Sequence, residues 1–305
     1  MRGHDGESHM LRPDTLALTA LLALLTAVGP LSVDLYLPSL PSIGAALTAS
    51  PSAVGLTISF YLVGFAIGQV VYGPLSDRCG RKPVLLAALT IFCLASLACA
   101  VAPSIATLIA ARMLQATGSA GAIVLARAVV RDLYEGPRAG RELSLMAAIM
   151  GLAPIVAPLI GGVMQVAFGW RACFVFLVAV GLGGVAATYW LLPETLRPRA
   201  RSAAGLVASL AVVARNRAAL AYVGIIAAGY GGLFAFISGA PFVLQDVLGL
   251  SPVGFGVAFA ISSIGYMSGT ALAAKVVTRW GLDRTIGWGV FAIAPSGRPD
   301  DGAAA

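Results

Sequence analysis

Two uncharged stretches, separated by a short charged segment, are the feature that most limits how this chain can fold. Val54–Tyr72 and Val84–Ala102 contain no charged residue and are about 19 residues long. A helix needs roughly 20 apolar residues to cross the hydrocarbon core of a bilayer. The segment between them, Gly73–Pro83, reads GPLSDRCGRKP. The pattern therefore predicts two membrane-spanning helices joined by a tight charged turn.

The composition extends this prediction to the whole chain. Its 305 residues are 59% hydrophobic and 11% charged, whereas soluble domains carry about 25% charged residues. The apolar residues recur in blocks of about 20 rather than as amphipathic stripes, which indicates helical spans. We therefore predict an all-α integral membrane protein and exclude a soluble catalytic domain.

The basic residues are concentrated in alternate loops. Pro38–Ala53, Ala102–Ser104 and Val243–Pro252 contain no lysine or arginine, whereas the loops between them are basic. This alternation follows the positive-inside rule, so the N-terminus and the basic loops are predicted to be cytoplasmic. A nucleic-acid-binding surface would not skip every second loop, so the net charge of +7 does not indicate a nucleic-acid partner.

Two ionisable residues fall inside predicted spans. Asp34 lies in the outer part of the first span, Thr15–Leu37, and Arg112 lies inside the fourth, Ser104–Ala128. At about 1.5 Å per residue, Arg112 is about 12 Å from the outer end of its span, a depth comparable with that of Asp34. Because a buried charge is costly unless it is paired, we predict an Asp34–Arg112 ion pair that proton binding to Asp34 would break. The alternative is that Asp34 only caps its helix at the membrane interface.

The charged turn contains an acidic residue as well as basic ones. Asp77 precedes Arg81 by four residues, a spacing that brings side chains together on a helix. Gly73 and Gly80 are predicted to permit tight packing and unusual backbone angles. Pro83 is predicted to begin the next helix. An ordinary positive-inside turn would explain the basic residues but neither the acid nor the glycines. The predicted latch between helix ends comprises Gly73, Asp77, Arg78, Gly80, Arg81, Lys82 and, as a further candidate partner of Asp77, Arg131.

The order G-x-x-x-D-R-x-G-R-K in this turn resembles the signature loop of the major facilitator superfamily. That resemblance implies two six-helix bundles that transport by alternating access. The R-x-x-Q-A sequence that begins at Arg112 is similar to the motif associated with proton coupling. The segment Gly151–Gly162 resembles the antiporter motif of the drug exporters, with Ala157 where glycine is more usual. The antiporter-motif residues are Gly151, Pro154, Pro158, Gly161 and Gly162.

Pro193–Leu196 (PETL) resembles the sequence that closes the first bundle in the drug-exporter branch, and its Glu194 is assigned to the latch. Two further segments narrow the resemblance to the Bcr/CflA drug:proton antiporters. They are Asp34–Pro38 (DLYLP) and Ser238–Val243 (SGAPFV). The resemblance implies export of chloramphenicol-type or bicyclomycin-type drugs from the bacterial inner membrane. Candidate cavity residues are Tyr36, Tyr61, Gln69, Gln115 and Phe236.

The expected energy source is the proton gradient, with no cofactor. The expected partners are a small drug and the lipid bilayer, with no nucleic acid, and the expected state is a monomer. A membrane-embedded enzyme or an ATP-driven pump is disfavoured because the sequence contains no HExxH, GxSxG or GxxxxGK[ST] motif. The four cysteines have neither CxxC spacing nor clustered histidines, so no metal site is predicted.

The predicted domain organisation has five parts. They are a cytoplasmic tail (1–14), a complete N-terminal six-helix bundle (15–193), a cytoplasmic linker (194–218), a partial C-terminal bundle with spans seven, eight and the start of nine (219–294), and a polar tail (295–305). Positions 206–214 of the linker are predicted to form a helix on the membrane surface. Because the second bundle is incomplete, the chain is expected to be C-terminally truncated. The alternative to a working exporter is therefore a non-transporting membrane fragment.

Overall fold

The computed structural model describes residues 15–196 and 214–293, and this part of the chain is helical without β-strands. The helices are α1 (Leu16–Asp34), α2 (Leu40–Ala46), α3 (Pro51–Cys79), α4 (Arg81–Ala100), α5 (Ile105–Leu133), α6 (Gly136–Phe168), α7 (Trp170–Leu191), α8 (Arg217–Phe242), α9 (Pro252–Trp280) and α10 (Leu282–Ile293). A 3-10 turn follows α1 at Leu37–Ser39, and a π turn follows α8 at Val243–Val247. Eight helical segments in the described ranges are long and apolar enough to cross a membrane. The all-α, multi-pass prediction is confirmed.

Several helices extend beyond the predicted spans. The predicted turn Gly73–Pro83 is helical on both sides, because α3 continues to Cys79 and α4 begins at Arg81. The predicted cytoplasmic loop between Arg127 and Glu142 is also mostly helical. A 29-residue helix such as α3 is about 43 Å long at 1.5 Å per residue, which exceeds the roughly 30 Å of hydrocarbon. The charged residues therefore lie on helix ends that project past the hydrocarbon, and the prediction of loops there was wrong.

Helix α5 packs at the centre of the first six spans, against α1, α3 and α4. Glycines allow the close approach: Gly64 and Gly68 of α3 face backbone atoms of α5, and Gly118 of α5 faces the backbone of α4. Small residues at such positions let membrane helices approach to van der Waals contact. By contrast, Gly73 lies inside α3 without a positive φ, and a β-carbon on it would have no neighbour within 4 Å. The tight packing and unusual backbone angle predicted for Gly73 were therefore wrong.

The chain divides into two compact units, with the division between Phe259 and Ala260. The first unit contains the helices α1 to α8 and the first two turns of α9. The predicted boundaries at 193/194 and 218/219 stay predictions. The predicted tails, 1–14 and 295–305, and nearly all of the predicted surface helix at 206–214 lie outside the described residues.

Candidate functional site

Arg112 lies about two turns from the start of α5 and has no solvent-exposed surface. Its guanidinium carbon is 4.2 Å from the ring centroid of Tyr36 and 4.3 Å from that of Tyr61. Phe174 adds a third ring at 5.9 Å. A cation over an aromatic face is attracted by the ring quadrupole, more strongly when both groups are desolvated. The aromatic side chains therefore offset part of the cost of burying this charge.

The guanidinium also binds the end of α1. Arg112 NH1 donates to the backbone carbonyl oxygen of Ser32 at 3.0 Å and to the amide oxygen of Gln115. Ser32 lies in the last turn of α1, where carbonyls have no partner in the helix and carry the negative end of the helix dipole. Arg112 therefore acts as a C-terminal cap of α1 supplied by another helix.

A continuous chain of hydrogen bonds surrounds Arg112. The amide nitrogen of Gln115 donates to the hydroxyl of Ser96 at 2.7 Å, and Ser96 donates to the carbonyl oxygen of Phe92 at 2.7 Å. The hydroxyl of Tyr61 is within hydrogen-bonding distance of the hydroxyls of Ser32 and Ser119. This chain of hydrogen bonds links α1, α3, α4 and α5, so a change at one of these helices is transmitted to the others through directional bonds. We call Arg112, Tyr36, Tyr61, Ser32 and Gln115 the Arg112 cluster.

The predicted Asp34–Arg112 ion pair is absent from this structure. The ion pairs within the described ranges are Arg81–Asp77 and Arg81–Asp132, and Asp34 belongs to neither. Asp34 is buried but follows Ser32 by two residues, a rotation of about 200° around a helix. Ser32 faces Arg112, so Asp34 points to the other side of α1. Nε and NH2 of Arg112 accordingly have no hydrogen-bond partner among the described residues.

The structure brings three of the five predicted cavity residues together. Tyr36, Tyr61 and Gln115 all contact Arg112, and the Tyr36 hydroxyl lies 3.0 Å from that of Thr57. Phe236 is instead half-exposed on α8, where it stacks on Phe259 at 6.4 Å. Gln69 lies half-buried on α3, more than two helical turns from Tyr61, the α3 member of the Arg112 cluster. The roles of all five in drug binding stay predictions.

The charged turn forms the predicted ionic contact and one that was not predicted. Arg81 NH1 lies 2.6 Å from the carboxylate of Asp77, and Arg81 Nε donates to the carboxylate of Asp132 at 2.8 Å. Asp132 is buried, whereas Arg131 and Arg78 are exposed and form neither of these ion pairs. Arg131, the predicted partner of Asp77 on α5, therefore lies one residue before Asp132, which contacts the turn. The sequence signal that could have identified Asp132 is an acidic residue near the end of a long helix.

Glu194 closes the charged turn from the other side. Its carboxylate accepts the backbone N–H groups of Arg81 at 2.9 Å and Lys82 at 3.1 Å, the first two residues of α4. A negative charge there binds unpaired donors and the positive end of the helix dipole. Gly80, with φ of +96°, has a conformation that side chains disfavour, and a β-carbon there would lie 2.7 Å from the Glu194 carboxylate. The latch assignment of Glu194 and Gly80 therefore has a defined geometry, whereas its role in conformational change stays a prediction.

The environment of Glu194 lowers the pKa of its carboxyl. Partial burial raises this pKa, but the backbone N–H groups of Leu196, Arg81, Lys82 and Thr195 outweigh that effect and hold the pKa below its ordinary value of 4.5. The folded state therefore favours the ionised form. The resulting stabilisation is fully present above about pH 4.5 and is lost as the pH falls through the lowered pKa.

Replacing Glu194 by glutamine is expected to lower the melting temperature of the protein at neutral pH. Glutamine keeps the size of the side chain, but its amide group can accept from only one of the two N–H groups and presents a donor to the other. We expect a cost of about 1 kcal/mol, the usual value for a helix cap. The difference between Glu194→Gln and the parent should shrink as the pH falls below 4.5. A pH-independent difference would contradict the capping role, and the exposed Glu135→Gln is the matched control.

The predicted antiporter motif packs against two other segments. Gly161 lies directly against the carbonyl group of Leu35, and a β-carbon on Gly162 would lie 2.6 Å from the carbonyl oxygen of Pro252. Reciprocally, a β-carbon on Gly256 would lie 2.6 Å from the carbonyl oxygen of Pro158. Helix α6 continues through Pro154 and Pro158. The motif therefore joins the end of α1 to the start of α9 by close backbone contact, at the end of the bundle remote from Gly80.

No metal-binding group of three or more His, Cys, Asp and Glu side chains occurs within residues 15–196 and 214–293. The four cysteines are free, with Cys79 exposed and the other three buried. Desolvation disfavours a thiolate, so the buried cysteines serve as packing residues.

A sequence profile described as Major Facilitator Superfamily matches residues 22–297. The chain is 39% identical over 267 residues to an uncharacterized MFS-type transporter, YdgK, of Bacillus subtilis (strain 168), covering 86% of this chain and 66% of the relative. It is 35% identical to a chloramphenicol resistance protein of Pseudomonas aeruginosa, and the match covers 90% of this chain and 65% of that relative. It is 33% identical to multidrug resistance protein D of Escherichia coli (strain K12), and the match covers 83% of this chain and 64% of that relative. The chain thus spans slightly less than two thirds of the length of these relatives.

Solved structures show the same arrangement of helices. A bacterial homologue of the human lysosomal transporter Spinster, in an inward-facing and unoccupied conformation, superposes with a TM-score of 0.70 at 18% identity, covering 87% of this chain and 62% of that one. A D-xylose–proton symporter gives a TM-score of 0.67 at 18% identity, covering 87% and 69%. At this level of identity, the likeness concerns the fold alone.

Proposed function

We propose that this chain, which belongs to the Major Facilitator Superfamily, is a drug efflux transporter of the bacterial plasma membrane. The observation that carries the proposal is its similarity, at 33–35% identity over most of its length, to proteins named for chloramphenicol and multidrug resistance. Membership of a transporter family also sets aside the membrane-enzyme alternative. Small antibiotics of the chloramphenicol or bicyclomycin type are the proposed substrates, since a bicyclomycin resistance homologue of Haemophilus influenzae is also among the relatives.

The contacts between the first bundle and α8 support an alternating-access mechanism. Gln245, in the π turn after α8, donates to the carbonyl of Pro38 at 3.0 Å, and the start of α9 packs on α6 through Gly162. These contacts lie at the end remote from Gly80. At the end nearer Gly80, the first half of α8 is exposed apart from Ala219. With the basic Gly80 end and the N-terminus in the cytoplasm, as proposed from the loop charges, this arrangement corresponds to an inward-facing state.

Proton coupling is proposed to run through Asp34 and Arg112. In the present arrangement Arg112 binds the carbonyl end of α1, and its Nε and NH2 remain without a partner within the described ranges. Rotation of the end of α1 would bring the carboxylate of Asp34 towards these donors, and protonation of Asp34 would remove the attraction. The proton gradient is then the sole energy source, without a cofactor. We propose that the transporter works as a monomer in the lipid bilayer, without a nucleic-acid partner.

The proposal is tested by drug accumulation in an efflux-deficient bacterium that expresses this chain. We expect intracellular chloramphenicol to fall, and a protonophore to restore it. Unchanged accumulation, with the protein present in the membrane, would contradict efflux of this drug by this chain. The same assay with bicyclomycin separates a wrong substrate from an absent activity.

Asp34→Asn is expected to remove the protonophore-sensitive part of the efflux. Asparagine retains the size of aspartate but cannot bind or release a proton, so the coupling step is lost while the helix is kept. Net efflux should therefore fall to the level that remains when a protonophore is added to the parent. Glu135→Gln, a comparable change at an exposed carboxylate, should leave efflux unchanged. Normal export by Asp34→Asn would remove Asp34 from the mechanism.

A further inference from the structure

We propose that Gln245 is a gate residue that holds the end of the bundle remote from Gly80 closed. Its side-chain nitrogen donates to the carbonyl oxygen of Pro38 at 3.0 Å, across 207 positions of sequence. The bond joins the turn after α8 to the turn after α1. The inference rests on the proposed alternating-access function, because a transporter of this kind must break such a contact to open on that side.

The carbonyl that Gln245 binds has no place in a helix ladder. Pro38 lies in the 3-10 turn, one residue before Ser39, the N-cap of α2, whose own carbonyl accepts the first bond of that helix. Pro38 is buried, and a buried carbonyl without a partner costs free energy. Gln245 is therefore the donor that satisfies this carbonyl in the closed arrangement.

The backbone that carries Gln245 has a structure suited to movement. Pro241 has no N–H group to donate within α8. The backbone then widens into the π turn. A hydrogen bond from the backbone N–H of Leu248 to the carbonyl oxygen of Val243, five residues earlier, closes this turn at 3.0 Å. π turns are rare and occur frequently at functional sites. Rewinding this turn into an α-helix would rotate Gln245 away from Pro38. The bond and the shape of the backbone are thus coupled.

The neighbouring glycine contacts at this end are close but not directional. Gly161 against Leu35 and Gly162 against Pro252 meet through van der Waals contact between backbones, so they allow sliding. Gln245 supplies a bond with a defined geometry. The adjacent Asp246 is exposed and shares the same backbone segment, which makes it a matched control for effects of substitution in the π turn.

The test measures the distance between the two turns by double electron–electron resonance. Spin labels are attached at Ala45→Cys and Leu248→Cys, both exposed positions, in a Cys79→Ser background that removes the exposed native thiol. The full chain is reconstituted in lipid nanodiscs. With Gln245 intact, we expect one short, narrow distance. With Gln245→Glu, which keeps the size but removes the donor, the population at long distance should rise about fivefold, as expected for the loss of one hydrogen bond of ordinary strength.

The control and a second variant make the result decisive. Asp246→Asn should reproduce the parent distribution, and Gln245→Leu, a neutral variant of similar size, should behave like Gln245→Glu. If both Gln245 variants keep the parent distribution, Gln245 is not a gate residue. The measurement requires no transport, so a chain that shows the shift but no drug efflux would overturn the proposed function and leave the gate in place.

Discussion

Replacing Arg112 by methionine is expected to abolish drug efflux while leaving the protein folded in the membrane. Arg112 has no exposed surface and is the one charge in the centre of the Arg112 cluster. Methionine has a similar volume and reach, but it cannot donate to the carbonyl of Ser32 or to Gln115. The end of α1 then loses its cap, and the carboxylate of Asp34, the proposed proton-binding group, has no charged partner. We expect proton-driven efflux to fall to background.

The expected effect of Arg112→Met on stability is smaller, for a physical reason. Removing a buried charge recovers its desolvation cost, and apolar replacements of buried ionic groups are often neutral or stabilising. Against this, the carbonyl of Ser32 and the amide oxygen of Gln115 lose a donor, at about 1–3 kcal/mol for each group left unsatisfied. These opposing changes predict a modest shift in melting temperature. Loss of efflux together with near-normal membrane insertion is therefore the expected combination.

Arg171 provides a control of matched chemistry for Arg112. Its guanidinium also lies over an aromatic ring, that of Trp170 at 4.1 Å, and donates to a backbone carbonyl, that of Ala102 at 3.3 Å. It differs in being exposed, at the start of α7. Arg171→Met should therefore retain efflux. Equal losses in both variants would show that arginine–aromatic packing matters generally and that the Arg112 cluster has no special role.

Replacing Gly118 by alanine is expected to cause a large loss of stability, although only one methyl group is added. A β-carbon at Gly118 would lie 2.6 Å from the backbone nitrogen of Phe92 and 2.7 Å from the carbonyl oxygen of Ala88. Both are backbone atoms of α4, so the contact is relieved only if α4 and α5 move apart. Overpacking of this kind typically costs about 1–3 kcal/mol. We expect a melting temperature several degrees below that of the parent.

The same substitution at Gly183 should have the opposite effect on stability. Gly183 also lies inside a helix, α7, but a β-carbon there would have no neighbour within 4 Å. Alanine favours a helix over glycine by about 1 kcal/mol, so Gly183→Ala should be neutral or stabilising. The buried cysteines allow the measurement, because a thiol-reactive fluorescent dye labels Cys93, Cys99 and Cys173 only as the protein unfolds. Equal melting temperatures for the two variants would contradict the close α4–α5 contact.

Loss of the α4–α5 contact should also disturb the Arg112 cluster. Gln115 on α5 donates to Ser96 on α4, less than one helical turn from Gly118 along α5. Separation of the two helices would lengthen this bond, so the Gln115 side chain that accepts from Arg112 would lose its anchor on α4. Gly118→Ala protein that still reaches the membrane is therefore expected to export drug poorly. Glycine at this position thus links the packing of the bundle to the geometry of the site.

The sequence by itself determined the features that depend on local spacing. Uncharged blocks of bilayer length can only be helices, because lipid offers no partner for backbone polar groups. The contact between Asp77 and Arg81 was predicted from their separation of four residues, and it is present at 2.6 Å although Gly80 divides the two residues between α3 and α4. Arg112 was identifiable as a site residue because an arginine inside a span is costly and must be compensated. In each case, residues that are close in sequence contain the necessary information.

Only the tertiary structure decided which distant groups meet. Equal depth in the membrane suggested Asp34 as the partner of Arg112, but the rotation of α1 about its axis presents Ser32 instead. Likewise, Glu194 reaches the first residues of α4 across 113 positions of sequence. Sequence spacing specifies depth along a helix, whereas partner choice depends on helix rotation and on the packing of neighbouring helices. Those variables are set by the sum of many weak contacts, such as Gly118 against α4, and no single motif encodes them.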